Sequence, residues 1–374
     1  MAERIVLHIG TMKSGTTYLQ HILAASDEQL RASGWLYPHT WRPTDEVPTQ
    51  QFAFYGLLGP QIPWVEGWRD AHRGAWDRLR DQVGGWDGPV IMSAEALVAL
   101  DDAGIDTLLE SLPRAPVDVV LTVRSLASVL PSSWQQHLRN GHSQSFDGYL
   151  GMIRDGRADR DGSPSGHVFW RSYDMADVLR RWGSAVGIDR CVVVTVPRSA
   201  PTDELWRRFR EATGLGDAAP DTPPEVPRDL ANVGATAPEA LIVEAVNRVM
   251  VERGASQAER RARVRLIMVR GLLPRADRGV ALRVPPAWAS EVAAWIDADV
   301  DAIRSSGVRV VGDVDDLRAD RATDDPAPLL PEEVATAAAE ALLVGRVRRA
   351  ARRGGGVPRR LLRAVARRVR RLAD

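Results

Sequence analysis

Residues 5–17 constrain the fold more than any other part of the chain. Ile5-Val6-Leu7-His8-Ile9 reads as a short buried strand, and Gly10-Thr11-Met12-Lys13-Ser14-Gly15-Thr16-Thr17 follows without a break. An apolar run of this length ending in a glycine-bounded turn is a strand signal, and a helix is predicted beyond it to about residue 25. A turn of this kind, with one lysine and several hydroxyls, is built to hold phosphate. Backbone N–H groups from Ser14 to Thr17 are expected to point at an anion, and the following helix adds the positive end of its dipole. Composition sharpens the point. Of 49 basic side chains, Lys13 is the one lysine and the rest are arginine. Lysine is a compact, flexible point charge where arginine is a planar fork. A lone lysine inside a phosphate-loop pattern is therefore read as functional rather than as a surface survivor.

The pattern departs informatively from the nucleoside-triphosphate loop G-x-x-x-x-G-K-[ST]. Gly10, Gly15 and Thr17 fill that template, but its lysine position holds Thr16. The lysine stands three residues earlier, at Lys13. In a nucleoside triphosphatase the lysine reaches the β- and γ-phosphates and the next hydroxyl binds magnesium. A lysine moved to the loop tip suits a ligand with a shorter 5′ chain.

Lys13-Ser14-Gly15-Thr16-Thr17, after a strand and before a helix, resembles the 5′-phosphosulfate loop of sulfotransferases. These enzymes use 3′-phosphoadenosine 5′-phosphosulfate (PAPS) as sulfuryl donor. The continuation Tyr18-Leu19-Gln20 is similar to the bacterial carbohydrate-type branch of that family. A second motif lies far along the chain. Val117-Asp118-Val119-Val120-Leu121-Thr122-Val123 reads as a buried strand and ends in Arg124, with Ser132 eight residues on. The resemblance implies that Arg124 and Ser132 hold the 3′-phosphate of the donor, with Ser133 a weaker candidate. Arginine offers phosphate a bidentate fork, which suits that role. Taken alone, the pair also fits an arginine ending a strand and a serine starting a helix.

Between these motifs lies the strand Pro89-Val90-Ile91-Met92-Ser93, then Ala94-Glu95-Ala96-Leu97. The resemblance makes Glu95 the general base. A carboxylate within hydrogen-bond reach can take the acceptor hydroxyl's proton as the new S–O bond forms. The competing reading has Ser93 as a helix N-cap and Glu95 as a first-turn acid that stabilises the helix dipole. His8 and His39 are weaker candidates for the base. No metal is implied, and the seven histidines show no metal-ligand spacing.

The implied fold is α/β, a P-loop-type three-layer arrangement with a central parallel sheet flanked by helices. The chain's own pattern agrees. Strands at 89–93, 117–123 and 191–196 alternate with helical segments, including one from Arg171 to Gly187, as in parallel sheets. Ligands in such sheets bind beyond the carboxyl ends of strands, where Lys13, Glu95 and Arg124 all fall. Residues 215–230 read as a Pro/Asp-rich loop, and 232–247 and 288–303 as helices. Val308 to Leu317 resembles the end of bacterial carbohydrate-type sulfotransferase domains, so the resemblance covers about 4–318. One departure stands out. The cytosolic branch grips the 3′-phosphate with a late Arg-Lys-Gly loop, and nothing here matches it. Arg270-Gly271 or Arg275 are the candidate substitutes.

The expected organisation is a sulfotransferase-like α/β domain at 1–320, a linker with a short helix at 321–345, and an arginine-rich tail at 346–374. The single cysteine, Cys191, excludes an internal disulfide and reads as a small core residue. With no apolar run of membrane-spanning length and no leader pattern, the expectation is a cytoplasmic protein. Trp35, Trp41, Trp64, Trp68, Trp76 and Trp86 punctuate the early chain and read as core or lid packing as readily as sugar-stacking faces.

Zero net charge hides two opposite parts. Overall there are 49 basic and 49 acidic groups; residues 341–374 carry 12 arginines and one acid, leaving 37 basic and 48 acidic before them, a balance of −11. Past Pro358, Leu361, Leu362, Val365, Val369 and Leu372 share one helical face opposite arginines. That is a basic amphipathic helix suited to an anionic membrane surface, which would make the protein peripheral at the inner membrane. A solvated tail, or one folded back on the acidic body, fits the same residues. No nucleic-acid motif is present. Three function classes follow. The first is a PAPS-dependent sulfotransferase acting on a hydroxyl of a carbohydrate, glycolipid or secondary metabolite. The second is a P-loop NTPase or nucleotide kinase with a displaced lysine. The third is a non-catalytic nucleotide-binding protein.

Overall fold

A computed structural model of the chain describes residues 2–39, 49–58, 74–158, 164–197, 201, 203–224, 234–275, 277–318, 334, 337 and 338. In chain order the elements are β1 (Ile5–His8), α1 (Thr16–Ala25), α2 (Asp27–Ala32), α3 (Gln51–Leu58) and α4 (Ala75–Gly84). Then come β2 (Val90–Ser93), α5 (Asp102–Ser111), β3 (Val117–Val123), α6 (Leu126–Arg139), α7 (Phe146–Ala158), α8 (Pro164–Tyr173) and α9 (Met175–Val186). The series ends with β4 (Cys191–Thr195), α10 (Glu204–Thr213), α11 (Ala237–Glu252), α12 (Gln257–Ile267), α13 (Ala289–Ser305) and β5 (Arg309–Val311). The fold is α/β, with a central parallel sheet flanked by helices.

The strands run β2-β1-β3-β4-β5, each parallel to its neighbours. Ile5 lies opposite Val90 on one side and Val117 on the other. Side chains alternate between the two faces of a strand. One face sends Val6, Ile91, Val120, Val194 and Val311 into a core with Leu19, Ile22 and Leu23 of α1 and Trp206 and Phe209 of α10. The other face buries Leu7, Val119, Leu121 and Val193, and α9 packs against β3 and β4 there. Burial on both faces explains why these strands read as nearly unbroken apolar runs.

The chain divides into two compact units. The first is Met1–Ser132, Asp147–Asn232 and Val284–Asp325 and contains the whole sheet. The second is Ser133–Phe146, Val233–Arg283 and Pro326–Asp374. Within it, buried Asn247 donates to the carbonyls of Leu138 and His142, both at 2.8 Å.

Two helix boundaries differ from the sequence expectation. The single helix expected over 171–187 is two, α8 and α9, separated by Asp174, whose carboxylate caps α9 by accepting from Asp177 N at 3.3 Å. The helix expected at 232–247 starts later, at Ala237, because Thr236 and Glu239 form a capping box. Cys191 is buried at the head of β4, and burial pushes its thiol up to about 12, so it behaves as a core residue. Trp35 and Trp76 are core residues, and Trp86 donates its indole N–H to Gly34 O at 3.1 Å. Trp41, Trp64, Trp68 and the tail at 346–374 lie outside the described residues, as does nearly all of the linker expected at 321–345. Among the described residues no helix is long and apolar enough to cross a membrane.

Candidate functional site

The order β2-β1-β3 means that the chain leaves β1 towards one side of the sheet and then crosses to the other. The crevice between the carboxyl ends of β1 and β3 is the topological switch point, where open parallel sheets bind ligands. The loop at 10–17 fills that crevice. It begins by extending β1 along β3, with Thr11 N donating to Thr122 O at 2.9 Å. Gly10 is required there: a Cβ would fall 2.0 Å from Thr122 Oγ1 and 2.7 Å from His8 Nε2. Thr11 to Ser14 then form a turn closed by Ser14 N donating to Thr11 O at 3.2 Å. Lys13 takes the third position of this turn with φ 68°, the single non-glycine left-handed residue among those described. Turns favour glycine or asparagine at such a position, so a lysine there holds its place against local preference.

Two long-range contacts hold the crest. Tyr173 OH, from the end of α8, donates to Met12 O at 2.8 Å. Arg124 Nη1, from the residue after β3, donates to Lys13 O at 3.4 Å. Gly15, with φ 90°, is the N-cap of α1, which has no capping side chain and no acid in its first turn. The first N–H groups of a helix lack intrahelical acceptors, and the first turn of α1 carries no acid of its own to pair with them. Thr16, where a triphosphate loop carries lysine, buries its hydroxyl without a hydrogen-bond partner. Thr17 is half-buried beside it. Ser14 is committed inward, its hydroxyl 2.5 Å from Thr11 O and 2.7 Å from Thr122 Oγ1.

Glu95 follows β2 and heads a short 3-10 turn, Glu95–Ala99. Ala94 is the N-cap of that turn. Ser93 is the last residue of β2, and its hydroxyl contacts His8 and Gln20. Ser93 is therefore a strand end and not the N-cap, whereas Glu95 does lie in the first turn of a short 3-10 helix, as the capping alternative expected. Burial raises the Glu95 carboxyl above its ordinary value, and the positive charge of Lys13 opposes that rise. The carboxylate and the lysine thus feel one another across the crevice.

The remaining candidates divide. Arg124 is half-buried at the end of β3 and joins Lys13. Ser132 turns its hydroxyl to Ser128 O, 3.0 Å away within α6. His8 is fully buried with both ring nitrogens engaged, by Ser93 Oγ at 2.8 Å and Thr122 Oγ1 at 3.1 Å. It has no nitrogen left for an acceptor. His39 lies 3.9 Å from Asp27 Oδ2. In the second unit, Arg275 sits 3.7 Å from buried Glu239, which Arg278 also grips, so Arg275 is committed to an internal ion pair. Arg270 is exposed in the π-helical turn Met268–Leu272.

Sequence reasoning missed Thr122, Tyr173, Gln20 and the second role of Ser93. A signal for part of this was present. Three adjacent strands each carry one polar residue near the carboxyl end of an apolar run: His8, Ser93 and Thr122. Among the described residues no cluster of metal-ligating side chains occurs.

No protein-family model matches the chain, and no curated protein matches it. Among solved structures, it is distantly similar to a crystal structure of a sulfotransferase from Alicyclobacillus acidocaldarius. That match has 16% identity and a TM-score of 0.38 and covers 70% of this chain and 99% of the other.

Proposed function

We propose that the chain is a PAPS-dependent sulfotransferase, with a P-loop-type architecture, acting on a hydroxyl of a carbohydrate, glycolipid or secondary metabolite. The observation that carries the reading is the meeting of Lys13, Arg124 and Glu95 at the switch point: Arg124 bonds the Lys13 carbonyl at 3.4 Å and Lys13 opposes the raised pKa of Glu95. The residues suit a phosphosulfate. Gly10 and Gly15 let the loop lie close against Thr122, His8 and Leu205, where a Cβ would clash, and the Thr16 hydroxyl is buried and unpartnered.

In this reading the N–H groups of Gly15 to Thr17 cradle the 5′-phosphate, while Arg124, with Ser132, takes the 3′-phosphate. Glu95 accepts the proton of the acceptor hydroxyl as that oxygen bonds to sulfur. The bond from sulfur to the phosphate oxygen breaks in line, and its electron pair leaves with the phosphate. Lys13 and the loop N–H groups stabilise the charge that develops there, the kind of preorganised donor set that dominates such steps. The product is a sulfate ester and adenosine 3′,5′-bisphosphate. No residue in this account calls for a metal.

The arginine-rich tail is proposed to offer an anionic membrane surface a binding segment, which would bring a peripheral enzyme to lipid-borne acceptors. The test of the activity is a screen of acceptor hydroxyls with radiolabelled PAPS, run beside ATP with magnesium. Label transfer from PAPS without magnesium is the expected result. Phosphoryl transfer or hydrolysis of ATP that requires magnesium would replace the reading with a nucleotide kinase or NTPase. Nucleotide binding with no transfer to any acceptor would leave a binding protein.

A further inference from the structure

Five buried polar side chains form one chain of hydrogen bonds across the carboxyl ends of β2, β1 and β3. They are Gln20, Ser93, His8, Thr122 and Ser14. Their direction follows from the two ends. Thr11 O is a carbonyl and can only accept, and Ser14 Oγ lies 2.5 Å from it, so the one Ser14 proton goes there. Ser14 Oγ must then accept from Thr122, at 2.7 Å. That uses the one Thr122 proton, so Thr122 Oγ1 accepts from His8 Nε2 at 3.1 Å. At the other end, the Gln20 amide nitrogen donates to both Ser93 O and Ser93 Oγ, each at 3.2 Å. The carbonyl partner fixes which way that amide points. Ser93 therefore gives its proton to His8 Nδ1, at 2.8 Å.

We propose that His8, neutral and protonated on Nε2, is the positioning residue of this site: it sets the turn bearing Lys13 through Thr122 and Ser14, and the start of the turn bearing Glu95 through Ser93. The roles of Lys13 and Glu95 rest on the sulfotransferase reading; the tautomer and the coupling of the two turns do not. The requirement is chemical. The middle strand must supply a rigid group with a donor on one edge and an acceptor on the other, reaching one neighbour strand with each. Imidazole does this, whereas an amide carries both on one end. The ring is also held edge-on to Phe209, with centroids 4.9 Å apart. Burial drives its pKa down to about 3, which keeps a single ring proton. The same ring helps to exclude any side chain at position 10.

Two measurements on the full chain test this. In the first, ring nitrogen NMR of the labelled protein should show His8 Nε2 as a protonated, pyrrole-type nitrogen and Nδ1 as an unprotonated, pyridine-type one. The opposite tautomer, or averaged shifts from a mixture, overturns the assignment. In the second, amide exchange is compared between the wild type and His8→Phe, with Thr122→Val as the milder variant if the first fails to fold. In His8→Phe exchange should quicken in both 11–15 and 94–97, and in Thr122→Val in 11–15 with 94–97 kept, while α13 stays protected in each. In His8→Phe, loss confined to one segment or spread evenly over the molecule, and in Thr122→Val an unchanged 11–15, each reduce His8 to an ordinary core residue. A split in kinetics completes the test. Thr122→Val should weaken adenosine 3′,5′-bisphosphate binding by about tenfold, the scale of one hydrogen bond, while Ser93→Ala keeps that affinity and lowers turnover. Equal behaviour of the two variants counts against the proposal. A wild-type chain that shows the tautomer and the coupled exchange but binds no adenosine bisphosphate would sink the sulfotransferase reading and leave the positioning role standing.

Discussion

Arg124 donates from Nη1 to the main-chain oxygen of Lys13 at 3.4 Å, tying the residue after β3 to the crest of the loop after β1. A guanidinium has a planar fork of donors that suits both roles, bracing a main-chain carbonyl and pairing with a phosphate. The first prediction separates these roles. The wild type should bind PAPS more tightly than adenosine 5′-phosphosulfate, which lacks the 3′-phosphate, and much more tightly than ATP, without magnesium. Arg124→Ala should weaken PAPS binding by roughly tenfold to a hundredfold, the range for a charged hydrogen bond, and change adenosine 5′-phosphosulfate far less. Calorimetry showing equal wild-type affinities for PAPS and adenosine 5′-phosphosulfate would remove Arg124 and Ser132 from the donor site.

Lys13 supports a prediction in which stability and activity move in opposite directions. Its left-handed φ of 68° costs a non-glycine residue roughly 1–2 kcal/mol, and glycine would return part of that against its greater unfolded-state entropy. Lys13→Gly should therefore melt at the same or a higher temperature while turnover falls on the order of a hundredfold or more, the usual loss for one such stabilising group. Lys13→Arg keeps the charge but replaces a compact ammonium by a planar fork, and it should also be damaged. Near-wild-type turnover in either variant would end the case for Lys13.

How far this site could be read in advance depended on how local each signal was. The strands at 5, 90, 117 and 191 announced themselves as apolar runs, and the loop as glycines around a lysine, because parallel strands buried on both faces tolerate little else. From those ends the meeting of Lys13, Glu95 and Arg124 follows by topology. Tyr173 could not be found this way: it reaches Met12 O from 161 residues away, and nothing in its neighbourhood marks it. The break at Asp174 was hidden because apolar spacing continues across it from Tyr173 to Met175 and Val178. The His8 chain needed register. His8 faces Ser93 across the β1–β2 pairing but faces Val120 on β3, two residues short of Thr122. Only the structure shows that one ring reaches both hydroxyls.

Glu95 carries the pH prediction. Burial raises its folded pKa above the unfolded value, so the native state binds more protons between the two values and stability falls as pH rises through that window. Above it the half-buried, desolvated carboxylate is a standing cost. Glu95→Gln should remove that cost, so the variant should be more stable than the wild type at neutral pH and equal to it below the unfolded pKa. Turnover should be abolished while affinity for adenosine 3′,5′-bisphosphate is kept, since a base acts on the acceptor. In the wild type the acid limb of the rate profile should lie above the ordinary carboxylate range, because the base works only when deprotonated. Lys13→Met should move the Glu95 carboxyl titration, followed by carbon NMR, further upward by removing the opposing charge. An active Glu95→Gln enzyme that melts at a lower temperature would make Glu95 a structural acid.

The tail yields the last prediction. Residues 341–374 carry 12 arginines against one acid, while the preceding 340 residues hold a balance of −11. Two destinations compete for that charge: an anionic membrane or the acidic body of the protein. Deleting 346–374 should leave folding and donor binding intact, since the sheet and every candidate site residue lie before it and a segment so rich in charge carries little apolar surface to contribute to a core. The full chain should co-sediment with vesicles containing phosphatidylserine but not with vesicles of phosphatidylcholine alone. Raised salt should release it, because arginine–headgroup attraction is screened within about a nanometre at ordinary ionic strength. The truncated chain should stay in the supernatant under all these conditions. If both forms sediment equally, or neither does, the tail is no membrane anchor. In that case the full chain should instead lose thermal stability on truncation in a salt-dependent way, as expected for arginines paired with the acidic body.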